Sequence, residues 1–157
     1  MENLLNVASY IFYRYQKEYG SKIDEMKFHK VMYFAQRESI IQTDSMLFNG
    51  KFYGWKYGPI LKEIRSMYKN NNFECLNGRS CNLTDAFNNI MNSVFTNYVP
   101  KDSWTLSMLS HNELSWKKSR IGIPENANGD VAINDDDIRA DALRVRFRRE
   151  VLNIVKA

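Results

Sequence analysis

The sequence predicts a mainly α protein, a compact helical domain of about six helices with one small β-hairpin. Three observations carry this expectation. Apolar residues recur at helical spacing along the chain. Caps and stops of recognisable chemistry bracket those stretches. One aromatic segment between them holds a two-residue turn signal flanked by strand-forming residues. The 157 residues suffice for one domain, 1–157, with a proper core. A hydrophobic fraction of 44% and an aromatic fraction of 13% fit a folded globule rather than a disordered tail.

The first helix is expected over residues 2–19, where Leu4, Leu5, Ala8, Ile11, Phe12 and Tyr15 share helical spacing and Gly20 supplies a stop. Asp24 reads as the N-cap of the second helix, because its carboxylate accepts a free backbone N–H and suits the positive end of the dipole. Ile23 and Phe28 occupy the two positions of a hydrophobic staple, and the helix continues to about Ile40. Phe28, Val31, Met32 and Ala35 make one stripe, while Met26, Lys30, Tyr33, Phe34 and Arg37 make another. A helix apolar on two sides is usually central. Lys30 and Arg37 mark where its second face is expected to approach solvent or a partner.

Residues 46–57 read as the hairpin, turning at Asn49-Gly50, because both residues tolerate positive φ. Pro59 suits the first position of a third helix through Tyr68. Lys69 to Asn82 is polar and reads as a surface loop. A fourth helix is expected over residues 84–99, ended by Pro100, and a fifth from Ser103 to Ser110, followed by a short turn with Trp116. The last helix, about 135–155, opens on Asp135, Asp136 and Asp137, which suit its positive end. Ala140, Leu143, Phe147, Val151 and Ile154 form its apolar stripe, with Arg139, Arg146 and Arg149 projecting roughly opposite.

Several function classes fall away. No segment approaches the ~20 apolar residues a membrane helix needs. The N-terminus has no basic start, apolar stretch and small-residue cleavage site, so a cytoplasmic location is expected. Cys75 and Cys81, six residues apart with no nearby His, match no usual zinc spacing and read as reduced thiols. There is no phosphate loop, no nucleophile motif and no metal-ligand spacing, so no cofactor, metal or catalytic residue is expected. His111 reads as a local hydrogen-bonding cap and His29 as a flank residue. The net charge of +4 permits an acidic partner or nucleic acid without demanding either.

Two stretches stand out, Asp24 through Gln36 and Trp55-Lys56-Tyr57-Gly58-Pro59-Ile60. After them come Leu109-Ser110-His111, Trp116, Arg120, and Ile133 with Asp136-Asp137-Ile138. In this order, over about residues 4–142, they resemble the Panacea, or SocA-like, antitoxin domain family, which includes phage-associated GepA-like proteins. His29 stands where that pattern usually has Gln. The resemblance implies a non-enzymatic protein that binds and neutralises a toxin or other effector, directly or by delivery to the ClpXP protease. A phage-encoded inhibitor of a host defence protein uses the same chemistry.

Exposed aromatic and Arg side chains are the types that anchor interfaces. The expected partner contacts are therefore Lys30, Arg37, Trp55, Lys56, Tyr57, Arg139, Arg146 and Arg149, although Trp55 suits a fold role better than an interface role, and Lys56 and Tyr57 suit either equally. The double change Arg146→Glu, Arg149→Glu is expected to weaken partner binding without unfolding. Arg144 to Arg149 also admits a nucleic-acid reading, whose signature is a steep salt dependence.

Overall fold

The computed structural model describes residues 1–156. In chain order these form α1 (Leu4–Tyr19), α2 (Glu25–Thr43), β1 (Phe52–Trp55), β2 (Gly58–Leu61), α3 (Lys62–Lys69), a 3₁₀ turn (Glu74–Leu76), α4 (Asp85–Asn97), α5 (Ser103–His111), α6 (Leu114–Ser119) and α7 (Asp135–Lys156). The fold is mainly α, with seven α-helices among the described residues rather than about six; the turn carrying Trp116 is itself the short α6. No helix among the described residues is long and apolar enough to cross a membrane.

Everything is arranged around α2. All its residues from Lys27 to Ile41 are buried, and α1, α3, α4, α5, α7 and β2 all pack against it. Asp24 caps it by accepting the Lys27 N–H at 2.9 Å. Ile23 and Phe28, both fully buried, close the staple. Phe28, Val31, Met32, Phe34 and Ala35 fill the core, each large side chain contributing about 2 kcal/mol of burial.

A helix buried all round must also satisfy its polar side chains. Gln36 accepts the N–H groups of Leu47 and Phe48 at 2.7 and 3.2 Å and donates to the Phe48 carbonyl at 2.8 Å. Lys27 donates to the Val99 carbonyl at 2.9 Å, and Tyr33 Oη meets Ser115 Oγ at 2.7 Å. Each of these three side chains ties α2 to a different part of the chain.

The hairpin is displaced from its expected position. Residues 52–55 pair antiparallel with 58–61, in the register Phe52↔Leu61 to Trp55↔Gly58, and the turn is Lys56-Tyr57. Asn49-Gly50 forms no turn of this sheet, and Gly50 is not among the glycines with positive φ. Instead Phe48 makes a parallel bridge with Glu2. Pro59 lies in β2, and α3 starts only at Lys62. A strand accepts proline where its missing N–H is not needed. Opposite Pro59 is Gly54, whose own N–H donates elsewhere, to the Val131 carbonyl at 3.1 Å. Asp102 caps α5, accepting the Thr105 N–H at 2.9 Å.

α7 is rotated relative to its expected orientation. Its buried residues include Ile138, Asp141, Ala142 and Val145, whereas Leu143, Phe147, Val151 and Ile154 are exposed. Arg146 and Arg149 reach inward. Arg146 donates to the Ile40 and Ile41 carbonyls at 2.7 and 3.0 Å and pairs with Asp44 at 2.6 Å. The Ile40 carbonyl also accepts the Asp44 N–H at 2.9 Å, and the negative end of the α2 dipole attracts a cation.

Candidate partner-binding surface

The tip of the hairpin is fixed by α5 and α6. Ser107 Oγ donates to the Tyr57 carbonyl at 2.6 Å, and Trp116 Nε1 donates to the Trp55 carbonyl at 2.8 Å. His111 stacks on Trp116 with ring centroids 4.1 Å apart. Gly58 has φ 114°, and a Cβ there would overlap Ser110 Oγ and the Lys30 side chain. The aromatic turn and the Leu109-Ser110-His111…Trp116 segment, far apart in sequence, are therefore two halves of one structure.

Beside the tip lies a cleft of about 270 Å³ lined by Glu25, Met26, His29, Lys30, Trp55, Lys56, Tyr57, Ile60, Arg65 and Asn128. Trp55 is half-buried, with Arg65 over its ring at 5.9 Å and its own indole N–H without a protein partner. Lys56 is half-buried, its Nζ 5.0 Å from the centre of the Tyr57 ring. Tyr57 is 44% exposed and leans toward Trp104, which is 58% exposed, at a centroid distance of 5.8 Å. Trp104 and the exposed Met108 are additions that the family pattern did not single out. Helical spacing on α5 was their only signal.

Lys30 and Arg37 do not mark a solvent-facing side. Both are buried. The Lys30 ammonium donates to the Pro59 carbonyl at 3.2 Å, and burial lowers its pKa to about 7. Arg37 donates to Glu113 and to Tyr98 Oη, and lies over the Phe34 ring at 4.8 Å. Burial raises the Glu113 carboxyl above its ordinary range, with Arg37 opposing that shift.

Arg139, Arg146 and Arg149 are likewise ties within the fold. Arg139 donates to the Asp44 carbonyl at 3.2 Å, and Arg149 makes a two-pronged pair with Glu38 at 2.9 and 3.1 Å. Burial acts to raise the Glu38 carboxyl, but the bonds from Arg149, Gln42 and Ser93 outweigh it and hold it low. A separate Arg149→Glu change should therefore cost about 3 kcal/mol of stability, because it sets a second carboxylate against a buried one. Urea unfolding checks this, and an unchanged midpoint would show that the pair contributes nothing. The double Arg146→Glu, Arg149→Glu change is correspondingly expected to destabilise the fold.

His29 has a role beyond flanking. Its Nδ1 accepts the Leu61 N–H at 3.1 Å, which places the ring proton on Nε2, facing Glu25 Oε1 at 3.4 Å. Burial lowers the imidazole pKa to about 4, with Glu25 opposing the shift and Lys30 and Arg65 assisting it. Between about pH 4 and the ordinary value near 6.5, the unfolded chain binds the proton and the folded chain does not. Stability should fall as pH drops through that window. In His29→Gln, which keeps an acceptor for Leu61, unfolding titrations should show a flatter slope there; an identical slope would rule out His29 as its source.

The signature residues thus cluster around α2 and the hairpin tip. A family model described as the SocA-like antitoxin, Panacea domain, matches residues 28–117. The chain belongs to that family. An antitoxin-like role follows from membership in general terms. No curated protein and no solved structure matches the chain. The matched Panacea segment runs from α2 to α6, a narrower span than the motif resemblance over about 4–142. Ile133, Asp136–Ile138 and all of α7 lie beyond it. Cys75 and Cys81, within it, are free.

Proposed function

We propose that this Panacea-domain protein neutralises a toxin or other effector protein by direct contact, without catalysis, through the surface at the hairpin tip. The observation carrying the proposal is the exposed pair Tyr57 and Trp104 beside the cleft. The Tyr57 backbone is already held by Ser107. Large aromatic groups on a pre-ordered support lose little freedom on binding, and they are the usual source of concentrated interface energy. The half-buried Trp55 and Lys56, which line the cleft, complete the contact. The inward bonds of Arg146 and Arg149 argue against the alternative of a phosphate-tracking face on α7.

The test is co-expression with the effector encoded beside this chain, scoring both growth rescue and complex formation. Tyr57→Ala with Trp104→Ala should weaken the complex by about a hundredfold or more and leave the thermal midpoint nearly unchanged. Unaltered affinity would remove this surface from the interface. Rescue without a stable complex, but with a ClpXP-dependent fall in effector level, would replace masking with protease delivery.

A further inference from the structure

The outward face of α7 is apolar where a surface helix is normally polar. Leu143, Phe147, Val151 and Ile154 succeed one another at intervals of four, four and three residues, and all are exposed, Phe147 at 68%. The eleven helical steps from Leu143 to Ile154 make a stripe about 16 Å long. The stripe cannot turn inward, because Arg146 and Arg149 fix the opposite face to α2. It also lies outside the matched Panacea segment.

One edge of the stripe has a definite charge. Arg144 and Arg148 follow Leu143 and Phe147 on the same side and line a cleft of about 430 Å³ between α2, α5 and α7. Arg148 makes no salt bridge among the described residues, and Arg144 reaches Asp141 only at 3.4 Å and Glu113 at 3.9 Å. Both arginines retain capacity to pair with carboxylates from outside.

We propose that this stripe is a docking site for an amphipathic α-helix of another protein, with an apolar ridge flanked by acidic residues. The ridge covers Phe147 and its neighbours, and the carboxylates reach Arg144 and Arg148. Charge argues against a second copy as occupant. Arg144 and Arg148 line one edge of the stripe, so antiparallel self-pairing would set these arginines against the same arginines of the second copy. Asp135 and Asp136, exposed at the start of the same helix, would be repelled by an anionic bilayer. The surface is separate from the hairpin tip and does not depend on it.

The test uses the full chain and two three-heptad helical peptides with Leu at the a and d positions, one with Glu and the other with Lys at e and g. Binding is read by fluorescence anisotropy at low salt. The acidic peptide should bind at least about tenfold more tightly than its basic twin. Phe147→Ser should abolish that binding, Arg148→Glu should reverse the preference, and Tyr57→Ala with Trp104→Ala should leave it intact. Phe147 and Arg148 are both exposed, so unchanged thermal midpoints verify that these variants fold. Four outcomes would overturn the proposal: neither peptide binds; both bind equally; sedimentation reveals a dimer that Phe147→Ser dissociates; or phosphatidylserine vesicles bind the protein through Phe147 while the peptides do not.

Discussion

Arg37→Met should destabilise the protein by about 3–5 kcal/mol, the usual cost of stranding a buried charge. Glu113 is almost fully buried, and Arg37 is its paired cation. Arg144 approaches the same carboxylate only at 3.9 Å from a half-exposed position. Methionine fills much of the space left by the arginine stem but supplies no donor, so Glu113 must either bind a proton or draw in water. Tyr98 simultaneously loses the partner of its hydroxyl. Urea unfolding of the single variants and of Arg37→Met with Glu113→Gln closes a thermodynamic cycle. The double variant should recover a substantial part of the loss, since replacing both members of a buried pair costs less than removing one. A loss below about 1 kcal/mol for the single change would mean that the pair stabilises no more than a surface bridge. Any weakening of partner binding should track the loss of folded protein, because Arg37 is internal.

Gly58→Ala should be comparably severe. The position combines a φ of 114° with close approach to Ser110 and Lys30. Left-handed backbone strain and overpacking each cost about 1–3 kcal/mol, so a loss of about 3 kcal/mol or more is expected. Gly78→Ala is the control. Gly78 also has positive φ, 75°, but a Cβ there would meet nothing within 4 Å, so its cost should be near 1 kcal/mol. Equal losses at the two positions, read from chemical unfolding, would show that backbone conformation alone fixes Gly58. If the expected difference holds, the glycine of the aromatic turn is required because Lys30 and Ser110 occupy the space beside it.

Much of the fold was legible because its signals are local. The Asp24 cap, the Ile23–Phe28 staple and the Gly20 stop each depend on residues within one turn, and they appear where periodicity places them. The aromatic turn was legible through its motif, although Trp104 was not. Failures occurred where distant groups decide. The apolar stripe of α7 predicts burial of Phe147. The interior, however, already contains Glu38 and the carbonyls of Ile40 and Ile41 at the end of α2, which bond to Arg146 and Arg149. No property of α7 read alone reveals that demand. Lys30 and Arg37 misled for the same reason, since their partners Pro59 and Glu113 come from other elements. The Asn49-Gly50 turn failed because β1 pairs with residues 58–61 instead.

The polar side chains of α2 also constrain when this protein can mature during its synthesis. Glu38 pairs with Arg149, 111 positions later, and Arg37 with Glu113, 76 positions later. At ordinary elongation rates of about 5–20 residues per second, the ribosome adds the 111 positions in roughly 5–20 s. Until then the central helix has emerged with a carboxylate and a guanidinium that it cannot bury without their partners. A nascent chain must keep that helix wet, or hand it to a chaperone, until the last segment arrives.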